Sequence, residues 1–177
     1  MISVVEADKI ISENLISLDT ERIPSLEANG RILKEAISAD RDFPPFDRVM
    51  MDGIAIRLSD WQAGQRKFRI QATQLAGVAA APLMEGAYAI EIMTGAVCPP
   101  GADCIIRVED LDIQEEAGHR YAYIRAIDLK PGQNIHQKGL DRRAGEILLS
   151  AGIRLGLAEL AVAVSVGKTE LLVTRIP

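Results

Sequence analysis

A carboxylate beside a glycine and a hydroxyl beside a glycine are the groups in this chain best suited to chemistry. Asp52-Gly53 follows Phe43-Pro44-Pro45-Phe46-Asp47-Arg48-Val49-Met50-Met51 and precedes the alternating run Ile54-Ala55-Ile56. The prolines restrict the backbone on the way in and the glycine relaxes it beside the carboxylate, so a loop on a rigid frame presents Asp52. A carboxylate held this way can position a metal ion or a water. Thr94-Gly95 ends the run Glu91-Ile92-Met93, and Pro99-Pro100-Gly101 carries the chain on to Cys104. A hydroxyl and adjacent amides at a strand end can hold an oxyanion as negative charge develops. In Pro131-Gly132-Gln133-Asn134-Ile135-His136-Gln137-Lys138-Gly139-Leu140-Asp141-Arg142-Arg143, two glycines bracket a polar segment whose Lys138, Arg142 and Arg143 can hold phosphate or another anion. Each stretch also has a plain structural reading. Asp-Gly before an apolar alternation is a turn signal, Thr-Gly can satisfy its own loop, and a charge run can be a solvated face.

Other reactive residue types point to less. Asp40, Asp42, Asp47 and Asp52 crowd one proline-containing loop and offer hard oxygen ligands, but without the spacing of a metal loop. His119 falls at an expected hairpin tip and His136 in an expected turn, with no partner at ligand spacing, so both read as structural or surface residues. Cys98 and Cys104 lack zinc or redox spacing and read as buried thiols of a reducing compartment. There is no P-loop and no dinucleotide fingerprint. The residues alone therefore define a polar surface built from loops, and no reaction.

The elements that must position these groups change character along the chain. Ser3-Val4-Val5-Glu6 has the form of a capping box. Val4, Ala7, Ile11, Leu15 and Leu18 then form one apolar stripe, which predicts a helix over 3–18. Thr20 to Leu26 should be an extended connector or edge strand, and a short helix is expected over 27–34. From Asp40 the texture turns to Pro, Gly and short alternating runs. Strands are expected at 53–57, 67–72, 88–93, 104–109, 111–114 and 121–125, with Glu116-Ala117-Gly118-His119 as a hairpin connection, and at 147–149. Leu157 to Val166, with Glu159 its only charge, predicts a helix buried on most sides or pressed against a partner. A strand over 170–174 should follow, and the stop after Pro177 reads as a cut at a domain boundary.

Length and composition bound the answer: 177 residues, 48% apolar, are enough for one domain or two small ones with a real core. The formal net charge of −5 argues against nucleic acid and acidic membrane surfaces as partners, so any anion must be held by local groups. No secretory leader and no membrane-length apolar run is present, so a cytoplasmic location is expected.

At the three loop stretches the sequence resembles the molybdopterin molybdotransferase family, of the MoeA type that includes the E domain of gephyrin. The family's motifs look like Pro-x-Phe-Asp-x-Ser-x-Met-Asp-Gly-Tyr-Ala, Met-Thr-Gly-Ala-x-x-Pro-x-Gly-Ala-Asp and Gly-x-Asn-x-Arg-x-x-Gly-Glu-Asp. Here they stand at Pro45 to Ala55, Met93 to Asp103 and Gly132 to Asp141. The chain departs from them with Arg48-Val49 before the Met-Asp-Gly, Ile54 after it, and His136, Gln137 and Leu140 where Arg and Glu are usual.

The resemblance implies the N-terminal part of an enzyme that inserts molybdate into adenylylated molybdopterin with release of AMP, assisted by magnesium. It implies catalytic roles for Asp52 and Thr94, substrate-binding roles for Gly53, Gly95, Lys138 and Asp141, and no metal ligand set within this chain. The implied fold class is α+β: a β-rich inserted domain over 40–139, as a small barrel or bent sheet, and a mixed α/β dimerisation domain from 20–39 and 140–177. The helix within 1–19 would pack on a cofactor-binding domain that this chain does not contain, leaving the chain inactive alone. The implied partners are a second copy in a homodimer and, upstream, molybdopterin adenylyltransferase. A non-catalytic dimerisation or scaffold module of the same fold is the alternative.

Overall fold

Helix α1 (Val4–Glu13) starts as its capping box requires: Glu6 N donates to Ser3 Oγ at 3.2 Å, and Glu6 Oε2 accepts from Ser3 N at 2.8 Å. The computed structural model describes residues 2–15, 18–125 and 128–176. The expected helix stops early, at Glu13, with Asn14 N donating to Ile11 O; Ile16 and Ser17, in its expected last turn, lie outside the described residues. No residue of α1 is buried, and Val4, Ile11 and Leu15 are 77%, 61% and 73% exposed, so its apolar stripe is uncovered.

The chain divides into two units, Met1–Asp40 with Gly145–Pro177, and Arg41–Ala144. In the first, β1 (Thr20–Pro24) pairs antiparallel with β12 (Glu170–Thr174) from Thr20↔Thr174 to Pro24↔Glu170, and β2 (Ile37–Ser38) pairs with β11 (Ile147–Leu149). The helix expected over 27–34 does not form. Ser25–Glu27 make one 3-10 turn, Gly30 takes φ +81°, and Ile32 and Leu33 bridge to Arg154 and Val173. Leu33 N donates to Ile153 O and Leu155 N to Arg31 O, so the backbone groups of this segment are satisfied by neighbours rather than along a helix. Burial of Leu33 outweighs the helical spacing around Asn29-Gly30. Helix α3 (Leu157–Ser165) buries Leu160 and Ala163 while Leu157 and Val164 stay exposed.

The second unit holds β3 (Arg48–Val49), β4 (Gly53–Ile56), α2 (Leu58–Gln62), β5 (Lys67–Gln74), β6 (Tyr88–Ile92), β7 (Cys104–Arg107), β8 (Leu111–Glu116), β9 (His119–Ile124) and β10 (Ile135–His136). Six of these strands form a curled sheet in the order β7-β4-β6-β5-β9-β8, with β5 and β6 parallel and the other neighbours antiparallel. Because side chains alternate across a strand, β4 sends Ile54 and Ile56 into one apolar cluster with Phe68, Ile106 and Ala122, and Ala55 into a second with Val49, Ile90, Ile92 and Ile105. All four residues of β4 are buried, and the strand is the spine of the unit. Helix α2, absent from the sequence reading, has no local side-chain cap; Leu58 N donates instead to Asp103 Oδ1 at 2.7 Å, from 45 residues away. Cys104 is buried and Cys98 half-buried, and burial pushes their thiols up to about 12 and about 11. Among the described residues no helix is long and apolar enough to cross a membrane.

Candidate functional site

The spine strand explains where Asp52 sits. Gly53 opens β4 between Ile92 on one side and Arg107 on the other, and a Cβ there would lie 1.8 Å from Ile106 O. Only glycine fits, so β7 closes against β4 and Asp52 is fixed at the strand's entrance. Val108 N donates to Asp52 O at 3.0 Å, which anchors the residue from the β7 side.

Thr94 arrives from the other side. It follows β6 in a turn where Gly95 takes φ +86°, Gly95 N donates to Val49 O and Val49 N to Ala96 O, so the turn is stitched to β3 in both directions. Asp52 Oδ1 accepts from both Thr94 N and Thr94 Oγ1, each at 2.7 Å. These bonds, the backbone amide first and the hydroxyl second, hold the Asp52 carboxyl below its ordinary range. Asp52 is exposed, and its Oδ2 has no partner among the described residues. The structure thus joins two residues 42 apart in sequence into one ionised, outward-facing pair. The same contact corrects the reading of Thr94-Gly95 as a loop that satisfies itself.

The third stretch serves mainly to hold the first in place. Ile135 and His136 of β10 pair with Val49 and Arg48, Met50 N donates to Asn134 O, and Asn134, at φ +57°, donates from Nδ2 to Ile105 O at 2.9 Å. Lys138 N donates to Asp47 Oδ1 at 2.8 Å, Ala144 N to Asp42 Oδ1 at 2.9 Å, and Gly139 N to Pro44 O at 3.0 Å. Lys138 Nζ lies 3.6 Å from Asp42 Oδ2, and His136 Nε2 lies 2.8 Å from Asp141 Oδ1. The backbone bond from Ala144 holds the Asp42 carboxyl low; desolvation opposes it, and the charge of Lys138 adds a smaller push downward. His136 therefore belongs to a short strand rather than the expected turn.

Asp42, Asp47 and Asp52 each serve a different loop contact, and no group of three or more His, Cys, Asp or Glu able to hold a metal occurs among the described residues. Lys138 and Asp141 do not join Asp52 and Thr94. β3 and β10 run antiparallel, so the chain beyond Val49, which leads to Asp52, and the chain beyond His136, which leads to Lys138, leave opposite ends of that ladder.

Sequence reasoning missed Arg107 and Asp110, which with Met51, Asp128, Gln133 and Asn134 line a cleft of about 360 Å³. Arg107 Nε donates to Asp110 Oδ2 at 2.9 Å. No local pattern marks them, because the cleft exists only once β7 lies beside β4 and the 133–134 turn reaches Ile105.

A mixed α/β, β-rich chain that presents a carboxylate–hydroxyl pair from two turns of a curled sheet defines a recognisable class. The chain belongs to the family described as the MoeA N-terminal region (domain I and II), whose model matches residues 2–167. It is 35% identical over 177 residues to a molybdopterin molybdenumtransferase of Synechocystis sp., an alignment covering all of this chain and 45% of the relative. Gephyrin of Dictyostelium discoideum is 32% identical over 94% of this chain and 25% of its own length. The crystal structure of a molybdopterin biosynthesis moeA protein from Pyrococcus horikoshii OT3 superposes with a TM-score of 0.83 at 32% identity, covering the whole chain and 47% of that protein. The chain spans less than half the length of these relatives.

Proposed function

We propose that this chain is the N-terminal part of a molybdopterin molybdotransferase, which inserts molybdate into adenylylated molybdopterin and releases AMP. The single observation that carries the reading is the double hydrogen bond from Thr94 to Asp52, which keeps an exposed carboxylate ionised and aimed at a ligand outside the chain. Asp52 and Thr94 are the catalytic pair. Gly53 and Gly95 admit the backbone approach that makes the pair, and Lys138 and Asp141 contact substrate. A cofactor-binding domain, brought by a second subunit, completes the site, so this chain alone is inactive.

Magnesium fits this site as a shared rather than an enclosed ion. It takes one or two carboxylates together with substrate phosphate oxygens, and Asp52 Oδ2 is one such unengaged oxygen. Bound there, the ion would polarise a phosphate oxygen. Asp52 supplies the anionic ligand, and Thr94, by donating through both its amide and its hydroxyl, fixes which carboxylate oxygen is available.

The exposed apolar residues of the first unit support the homodimer. Leu26 is 83% and Leu157 78% exposed, and Leu26 and Val164 line a mostly apolar cleft with Pro24 and Lys168. The uncovered stripe of α1 supports a further domain packing there. Molybdopterin adenylyltransferase, whose product is the substrate, is the upstream partner, and the cytoplasm is the location.

The test is Asp52→Asn in a polypeptide that carries this chain together with the cofactor-binding domain. Molybdate insertion should fall at least about a hundredfold while the protein stays folded. Near-normal insertion would refute the role of Asp52, whereas no insertion by the parent polypeptide itself would favour the non-catalytic dimerisation or scaffold module, a reading prompted by Arg48-Val49 and His136-Gln137 standing where the family carries other residues.

A further inference from the structure

Where β9 leaves β5, the second unit opens a polar cleft of about 450 Å³, away from the residues assigned above. The β5–β9 ladder ends at Arg69↔Tyr121, and beyond it residues 70–74 of β5 pair only with β6. The Ala117-Gly118 turn and His119 form the facing wall, with Arg69, Tyr88 and Thr73 on the near side.

Arg69 is the unusual member. It is half-buried, its Nη2 lies 3.1 Å from Nδ1 and 3.3 Å from Nε2 of His119, and its guanidinium carbon lies 6.0 Å from the centre of the Tyr88 ring. No oxygen acceptor meets it among the described residues, whereas Arg57, Arg107 and Arg120 each meet a carboxylate. Glu91, paired with Thr73 across the β5–β6 ladder, is held by Arg120 through two bonds of 2.8 Å and by Thr73. Glu116, across the β8–β9 ladder from His119, is engaged by Lys67 and by the Tyr123 hydroxyl. In a chain with 25 acidic and 20 basic residues, a half-buried guanidinium left with an imidazole as its one polar neighbour has donors to spare.

We propose that this cleft binds a small phosphate- or carboxylate-bearing anion. Arg69 supplies a two-pronged guanidinium donor, the His119 ring nitrogen now facing Arg69 turns to the same oxyanion, and Tyr88 braces the guanidinium from its ring face. Glu91 and Glu116 do not compete, because Arg120 and Lys67 already hold them.

The test is NMR of the isotope-labelled 177-residue chain, following the His119 ring and the Gly118 amide at constant ionic strength. Sodium phosphate, a nucleoside monophosphate and sodium acetate are titrated separately. Saturable shifts at both positions are expected. Tighter binding of the nucleotide identifies a phosphate ester as the ligand class, and tighter binding of acetate identifies a carboxylate. Arg69→Gln should weaken binding about tenfold or more, and Arg154→Gln, in the other unit, should leave it unchanged. His119→Ala, at the exposed first residue of β9, should weaken binding severalfold, read at Gly118. Linear shifts without saturation for all three anions, or saturation that survives both Arg69→Gln and His119→Ala, would overturn the proposal.

Discussion

Gly53→Ala tests the claim that close approach of β4 and β7 is what fixes Asp52. The added Cβ would stand 1.8 Å from Ile106 O and 2.8 Å from Ile106 C, where real contacts do not fall below 3.0 Å. The obstacle is backbone of a buried strand, so no side-chain rotation relieves it, and β7 must move off β4 by more than an ångström. A bond near 2.9 Å stretched that far is lost. Giving up two to three ladder bonds among the four paired residues, at roughly 1 kcal/mol net each, costs about 2–3 kcal/mol. The midpoint of thermal unfolding read by the fluorescence of Trp61, the one tryptophan and a residue packed against the β4 cluster, should drop by about 4–12 °C. The spectrum of the folded variant should also show the Thr94 amide shifted, because Asp52 moves with the strand entrance. A midpoint within about 2 °C of the parent would refute the reasoning, since overpacking against buried backbone cannot be that cheap.

Three further outcomes follow from the geometry. Thr94→Val removes the hydroxyl but not the amide bond, so the Asp52 carboxyl, followed by carbon NMR, should titrate at a higher pH than in the parent yet stay below its ordinary range; no movement would discard the side-chain bond. The sign for stability follows: a depressed folded-state value stabilises the fold above the ordinary carboxylate range, and that contribution disappears as pH falls through the folded value, sooner in Thr94→Val. Asp42→Ala should speed hydrogen exchange at the Ala144 amide, which it alone accepts, while leaving the Val49 amide protected. Ile11→Lys on α1 and Leu15→Lys just past it should leave the unfolding free energy of this chain within about 0.5 kcal/mol, because neither residue is buried; a larger loss would show that the stripe is covered within the chain.

The legible parts of the fold were those whose signals are local. The Ser3 cap, the β8–β9 hairpin around Ala117-Gly118, α3 and the strands from β4 to β9 all carry their own spacing or turn chemistry. The illegible parts draw their stability from residues far away. Helix α2 takes its cap from Asp103, and the segment after Gly30 becomes extended because Leu33 is needed in a core formed with Val173 and Leu155. β3 and β10, two residues each, carry too little periodicity to declare themselves and form through pairing with each other and, for β3, with the Gly95–Val97 turn.

The candidate site shows the same division more sharply. Turn chemistry correctly marks Asp52-Gly53 and Thr94-Gly95 as places where the backbone is special, yet it treats them as separate turns. What makes them one site is the pairing of β4 with β6, which sets Gly53 opposite Ile92, two residues before Thr94. From that register alone, a carboxylate one residue before Gly53 and a hydroxyl two residues after Ile92 leave the ladder on the same end, close enough for the two 2.7 Å bonds observed. The basic stretch fails as a partner for the same reason read backwards: its ladder with β3 sends Lys138 away from Asp52. Register, rather than residue type, decides which of the three stretches share a surface. Within this chain the cationic loop braces the approach to β4, through the Lys138 N bond to Asp47, rather than joining the Asp52–Thr94 pair.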